Sequence, residues 1–286
     1  MIDCAITHLS LRPQRLFLRQ SARRLIGGET LERVCDLVAR LNGGGKRVTL
    51  GLLGEDAETE RAARAIAAEE RRALEEIEAR GLDAALSVKL SALGLALDEE
   101  LCFELLLALA AAADKKGSVV LIDMESAAAI DATLRLYRRL REQGHDNVSI
   151  ALQARSKRTF DDIEALAPLT PRISICKGSY ETLPEDMASS EAQTRERFLR
   201  SISRLADAAA SIGISTHDRD LIAESRCLLA VAGRTRADYE IQMLYGVAPR
   251  LEAELIAAGE PLRIYVPYGT DWYPYVSRRM AKIGKR

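Results

Sequence analysis

Three observations predict an α/β chain folded as a distorted (β/α)8 barrel of the TIM type. From residue 45 onward, eight short β-like runs alternate with amphipathic helical stretches. No G-x-G-x-x-G stands at a strand-to-helix turn, which argues against the alternative, a doubly wound open sheet with a nucleotide site. The length, 286 residues, is one at which such barrels form a single unit.

Residues 1–44 read as a basic N-terminal helical segment carrying Arg12, Arg15, Arg19, Arg23 and Arg24. It closes on Asn42-Gly43-Gly44-Gly45, a strong chain breaker, and the barrel is expected over 45–286. Strands are expected at Arg47–Leu53, Ala84–Leu90, Val119–Met124, Val148–Gln153, Arg172–Cys176, Gly213–Thr216, Asp238–Met243 and Arg263–Val266. Helices are expected at Glu58–Arg80, Asp98–Lys115, Ala127–Gln143, Phe160–Leu166, Ser189–Ala210, Leu221–Val231 and Pro249–Ala258. Asp98, Ser126, Asp161 and Asp218 are candidate N-caps. The charged helix Glu58–Arg80 reads as a solvated face. A final helix, Trp272–Lys282, is expected to lie over the barrel mouth.

Bulk properties exclude several function classes. Forty-one basic residues against forty-two acidic ones leave a formal charge of −1, so a general nucleic-acid surface is not expected. Five scattered cysteines without a C-x-x-C point to reduced thiols in the cytoplasm. The three histidines show no ligand spacing, so no metal site is expected. No run is long and apolar enough for a membrane span, and the N-terminus shows no secretion signal.

A barrel builds its site where strands end. Those ends carry Lys89, Asp123, Gln153, Lys177, Gly178, Thr216, His217, Gln242 and Tyr265. Lys89 stands among Leu86, Val88 and Leu90, and a buried ammonium needs an anion. Asp123 reads equally as a helix cap, His217-Asp218 as a turn and cap, Gln153 as a satisfied strand residue, and Gly178 as a turn glycine. The sharpest signal lies at the C-terminus. Residues 263–279 hold the only Trp and four of the eight Tyr in a chain only 5% aromatic. Tyr275, Arg278 and Arg279 follow at i, i+3 and i+4 on one helix face, with Pro274 in the first turn. An aromatic ring beside two guanidinium forks suits a small carboxylate ligand.

These motifs, taken in order, resemble the proline dehydrogenase (proline oxidase) family. The carriers are Ser87-Val-Lys-Leu-Ser-Ala-Leu93, Ile122-Asp-Met-Glu125, Leu152-Gln-Ala154, Cys176-Lys-Gly-Ser-Tyr180, Thr216-His-Asp218, Tyr239–Gly246 and Tyr265-Val-Pro-Tyr-Gly269, ending in Tyr275-x-x-Arg278-Arg279. The resemblance implies an FAD-dependent oxidation of L-proline to Δ1-pyrroline-5-carboxylate, with hydride passing to flavin N5. It implies Lys89, Arg278 and Arg279 as carboxylate holders, oriented by Asp123, with Tyr265, Tyr275 and Leu244 around the substrate ring. Gln153 and Lys177 would meet the flavin ring; Thr216, His217 and neighbours, with Gly178 and Gln242 beside them, would line the rest of the cofactor. Glu55 would pair with an arginine of the last helix. A quinone or another acceptor would take the electrons, with transient peripheral contact at the inner membrane.

Four positions depart from the family pattern. Ser174 stands where an arginine near flavin N5 is usual, Gly51 where an aspartate is usual, Lys282 where a glutamate is usual, and Ser179 where an alanine is usual. Arg172 shares the strand face of Ser174 two residues earlier. The departures leave open a relative that oxidises a different imino acid or secondary amine in a biosynthetic pathway, or a flavin-free carboxylate binder.

Overall fold

The computed structural model describes residues 24–54, 56–178 and 186–283. Helix α1 (Leu31–Gly43) precedes a closed barrel of eight parallel strands in sequential order. The strands are β1 (Arg47–Leu52), β2 (Ala84–Val88), β3 (Val120–Ile122), β4 (Val148–Gln153), β5 (Arg172–Cys176), β6 (Ser211–Ser215), β7 (Tyr239–Leu244) and β8 (Leu262–Tyr268). The helices between them are α2 (Glu60–Ala79), α3 (Glu99–Asp114), α4 (Ile130–Glu142), α5 (Thr159–Leu166), α6 (Glu191–Ala208), α7 (Arg219–Val231) and α8 (Pro249–Ala257), and α9 (Trp272–Ile283) follows β8.

Each expected strand is present, with ends shifted by a few residues. Asp98 and Asp218 cap α3 and α7 as expected: the Asp98 carboxylate accepts from the amides of Glu100 and Leu101, and Asp218 accepts from that of Leu221. Two expected caps are corrected. Ser126 precedes a short 3-10 turn and makes no side-chain cap bond, because that turn intervenes before α4. Asp161 lies inside α5, which begins two residues earlier after Arg158.

The registers sort strand residues into two sets. Gly51 pairs with Ser87 and Ser87 with Leu121, while Ala151 pairs with Ser174, Ser174 with Gly213, and Gly213 with Glu240. This set points inward: a Cβ added to Gly51 would overlap the Tyr265 hydroxyl, and one added to Gly213 would overlap Ser174. The outward set is apolar. Val48, Leu50, Leu86, Val88, Ile150, Ile175, Ile214, Ile241 and Ile264 are buried beneath the helices. Each such side chain contributes about 1.5–3 kcal/mol of transfer free energy. The helices thus supply the hydrophobic core, and the barrel interior is left to small and polar groups.

The interior floor is electrostatic. The Glu240 carboxylate accepts from Arg263 Nε at 2.6 Å and Gln242 Nε2 at 2.8 Å, and Arg47 lies 3.7 Å away. Burial works against its ionisation, but Arg263, Gln242 and Arg47 outweigh it and hold the carboxyl below its ordinary value.

At the opposite end, α9 is anchored by Val276, fully buried against Leu25, Ile26 and Leu53. The segment before α1 straps it down. Gly27 N–H donates to the Pro267 carbonyl at 2.8 Å, Gly269 N–H donates to Gly28 at 3.0 Å, and the Trp272 indole donates to Glu29 at 2.8 Å. Among the described residues, α1 shares the barrel's core through Leu31, Val34, Cys35 and Val38. Arg12, Arg15, Arg19 and Arg23 lie outside the described residues.

Because one buried valine centres the docking of α9, Val276→Asp should release the helix and leave the barrel folded. Limited trypsin digestion checks this: cleavage after Arg278 and Arg279 should accelerate by about tenfold or more, while the circular dichroism spectrum changes little.

Candidate active site

The C-terminal ends of β1, β2, β3 and β8 converge on a compact charged group. Lys89, just past β2, donates from its ammonium to the Leu52 carbonyl at 3.1 Å. Asp123, just past β3, accepts from the Tyr265 hydroxyl of β8 at 3.0 Å. Burial raises the Asp123 acid above its ordinary value, opposed by the Lys89 ammonium and the hydroxyls of Ser87 and Tyr265. Burial and the neighbouring Asp123 push the Tyr265 phenol well up, so it stays a neutral donor. Gly51 makes this contact possible, since its missing side chain leaves room for the Tyr265 hydroxyl over β1.

The aromatic wall continues into α9. Tyr265 lies within electrostatic reach of Tyr275, and Tyr275 within reach of Arg279 and Arg278. Burial raises the Tyr275 phenol, and the two guanidiniums oppose it. Tyr275, Arg278 and Arg279 stand at i, i+3 and i+4 within α9 and so share one face of it, while Asp123 and Tyr265 are joined directly at the strand ends, with Lys89 on the Leu52 carbonyl beside them.

A second group lies across the mouth, at β4 to β7. Gln153 is buried, and its amide nitrogen donates to the Glu125 carbonyl at 3.1 Å. That bond fixes the amide orientation and leaves Gln153 Oε1 buried without a donor. Gly178 passes directly over it with φ +104°, a conformation that disfavours any side chain, and an added Cβ would come within 2.8 Å of that oxygen. His217 accepts at Nε2 from the Leu244 amide at 2.8 Å, so the neutral ring carries its proton on Nδ1. Thr216 is buried, and its hydroxyl accepts from the Asp218 amide at 3.2 Å.

Two expected cofactor contacts are already engaged within the protein. Lys177 donates to Glu191 at 2.6 Å and to Asp218 at 3.2 Å. Gln242 donates to Glu240 and accepts from the Ser215 hydroxyl at 2.5 Å. Ser174 is buried against Gly213, close to Gln242. Arg172 faces inward at the start of β5, about 6–7 Å nearer the floor than Ser174. Glu55, Ser179 and Tyr180 lie outside the described residues.

Sequence reasoning gave no role to two acids. Glu125 accepts from the Ser91 amide at 2.9 Å and the Ser91 hydroxyl at 2.7 Å, and burial raises its acid. Glu70, in the helix read as a solvated face, is only 2% exposed, and burial pushes its acid up to about 8. The signal was present: Ala63, Ala67, Glu70, Leu74 and Ile77 recur at spacings of three and four, the stripe that faces the sheet.

Comparison with known proteins places these features in context. A family model described as Proline dehydrogenase matches residues 34–174 and 177–281. Proline dehydrogenase 1 of Bacillus subtilis (strain 168) is 34% identical over 264 residues, covering 92% of this chain and 87% of its own. Proline dehydrogenase of Deinococcus radiodurans is 30% identical over 287 residues, covering 97% and 93%. Among solved structures, proline utilization A (PutA) of Bdellovibrio bacteriovorus superposes with a TM-score of 0.86 at 18% identity over 91% of this chain. A mutant PutA of Bradyrhizobium japonicum gives 0.75 at 22% identity, again over 91%. The chain spans about a third of the length of those two solved chains, 32% and 30%, and shares the barrel fold with them.

Tyr265→Phe should destabilise the protein by about 1–3 kcal/mol, because the part-buried Asp123 carboxylate loses a donor. Without that donor the folded-state Asp123 acid rises further. The stability difference from the unaltered protein should therefore be largest above the folded-state titration of Asp123 and shrink as pH falls through it. Denaturant unfolding across acidic to neutral pH reads the trend.

Proposed function

We propose that this chain, which belongs to the proline dehydrogenase family, oxidises L-proline to Δ1-pyrroline-5-carboxylate at the C-terminal mouth of the barrel. The observation that carries the reading is the Asp123–Tyr265 contact beside Lys89 at the strand ends, together with Tyr275, Arg278 and Arg279 presented on one face of the helix that follows β8. It joins an anion clamp to an aromatic wall, which is what a small cyclic amino acid requires.

The residues present fit a flavin. The orphaned Gln153 oxygen is a buried acceptor waiting for a donor, of the kind a flavin ring N–H provides, and Gly178 lets the backbone approach closely beside it. We assign the cofactor as FAD, with Gln153 and Gly178 at the ring and Thr216 and His217 along the rest. Lys177 and Gln242 would join this set by exchanging their present partners. When bound, the flavin supplies the acceptor for a hydride from the ring carbon next to nitrogen.

The protein supplies position and field. Lys89, Arg278 and Arg279 would take the substrate carboxylate, and bidentate guanidinium contacts would fix its plane. Tyr265 and Tyr275 would pack the ring and limit its rotation, so that one C–H points at the acceptor. Asp123 keeps Tyr265 in place and faces Lys89. The surrounding cations disfavour a protonated substrate amine, and a neutral amine is the form that can release a hydride. The amine proton leaves to solvent, and the electrons pass on to a quinone or another acceptor. No described helix is long and apolar enough to cross a membrane. We assign a cytoplasmic protein that meets a membrane-resident acceptor peripherally, as the quinone acceptor would require.

Purified protein should be yellow, and anaerobic addition of L-proline should bleach the flavin band. Retained colour in the presence of proline, with bleaching by another cyclic secondary amine, would transfer the reading to that amine. Arg278→Ala and Arg279→Ala should each cost on the order of 2–4 kcal/mol in kcat/KM, expressed mainly in KM. Unchanged steady-state kinetics in both variants would remove the arginines from the clamp.

A further inference from the structure

Helix α9 carries three of the proposed site residues, yet among the described elements no helix or strand lies closely along it. Its buried face rests on a short piece of chain that precedes α1. Leu25 and Ile26 pack with Leu53 around Val276, and Trp272 and Tyr275 close on the same cluster. Backbone hydrogen bonds tie this piece to the end of β8, from the Gly27 N–H to Pro267 and from the Gly269 N–H to Gly28. The seat is close: a Cβ added to Gly27 would lie 2.5 Å from Val266 and 2.6 Å from Val34. One side-chain hydrogen bond then reaches α9 itself. The Trp272 indole, at the first residue of the helix, donates to the Glu29 carboxylate at 2.8 Å.

Glu29 is the fixed end of that bond. The next residue, Thr30, caps α1 by accepting from the Arg33 amide, and α1 is built into the barrel core through Leu31, Val34, Cys35 and Val38. The same apolar cluster also meets the other half of the clamp. Leu53 follows Leu52, whose carbonyl accepts from the Lys89 ammonium, and the Leu53 N–H donates to the Tyr268 carbonyl at 2.7 Å. The end of β1 that holds the lysine and the helix that carries the arginines are thus joined through one cluster, which the segment before α1 completes.

Resting on the proposed carboxylate clamp, we propose that Glu29 is a positioning residue for substrate binding that acts through Trp272. It seats the first turn of α9, and Tyr275, Arg278 and Arg279 follow within two helical turns of that point. A helix is stiff over so short a length, so a shift of its first turn is carried to both guanidiniums. Bidentate contact with a carboxylate tolerates little displacement. Bound substrate draws the arginines back into register, so loss of the Glu29 contact weakens binding and leaves the bound complex nearly unchanged. Reciprocity requires that a bound carboxylate tighten the Glu29–Trp272 contact in turn.

The test uses holoenzyme: unaltered, Glu29→Ala, Glu29→Gln, Trp272→Phe, and Glu29→Ala combined with Trp272→Phe. Anaerobic flavin bleaching is followed against L-proline concentration. Affinity for cyclopentanecarboxylate, a cyclic carboxylate with no C–N bond to oxidise, is read from the shift of the flavin band. Glu29→Ala should raise the half-saturating proline concentration and the probe Kd by about fivefold or more. Its bleaching rate at saturating proline should stay within about twofold of the unaltered protein. Trp272→Phe keeps an aromatic ring, removes the donor, and should show the same loss. The double variant should be no weaker than either single one, because both changes remove one bond. Glu29→Gln keeps an acceptor oxygen and should recover most of the affinity. Additive losses in the double variant, or no recovery with Gln, would overturn the proposal. So would a fall in the saturated rate with half-saturation unchanged, the mark of a merely structural role. Should Glu29→Ala fail to fold, Trp272→Phe and Glu29→Gln carry the comparison. Expected probe losses without bleaching by proline sink the proline assignment alone. Normal bleaching with equal probe affinity in all five proteins sinks the role of Glu29 alone. If neither proline nor the probe perturbs the flavin in any of them, the clamp and the proposal fall together.

Discussion

Lys89 is the cation whose charge bears on three carboxyl groups at the barrel mouth and beside it. Asp123, Glu125 and Glu70 are each raised by burial, and in each case the Lys89 ammonium opposes the shift. A carboxylate taken out of water without compensation costs several kcal/mol, and here the compensation differs: Lys89 leads at Asp123, whereas the Ser91 amide and hydroxyl lead at Glu125. The same ammonium is a member of the proposed substrate clamp. Stability of the barrel mouth and affinity for an anionic ligand thus draw on one charge, and changes at any of the three acids bear on both.

The division of labour between the two faces of the sheet makes such a site possible. Outward residues such as Val48, Leu86, Ile214 and Ile264 carry the hydrophobic burial, against α1 to α8. The inward face is freed from that duty. It holds the Glu240–Arg263–Gln242 network at the floor and the Lys89–Asp123–Tyr265 group at the mouth. Small residues on the same face, Gly51 and Gly213 above all, give the larger polar side chains their space. The two departures from the family pattern that fall here, Gly51 and Ser174, each accompany a packed neighbour rather than a void: Tyr265 fills the first and Gly213 closes on the second. Closure of the mouth depends on a different, smaller contact. A segment of the chain's N-terminal part reaches across β8 and holds α9 through Gly27, Glu29 and the Val276 cluster.

The barrel was legible in the sequence because its two periodicities are regular: alternation in the strands, three-to-four spacing in the helices. The positions of Tyr275, Arg278 and Arg279 followed from helical geometry alone, and those of Lys89 and Asp123 from the rule that barrel sites gather at strand ends. What only the tertiary structure decided is which partners these groups find. Lys177 turns to Asp218 and Glu191, Gln242 is held between Glu240 and Ser215, and Gln153 keeps one oxygen unpaired. Glu70, on a helix crowded with exposed Glu and Arg, faces the sheet. Residue type and spacing are local properties, whereas burial and counter-charge arise from segments far apart in the chain, and the protonation of a buried acid depends on that assembled surround.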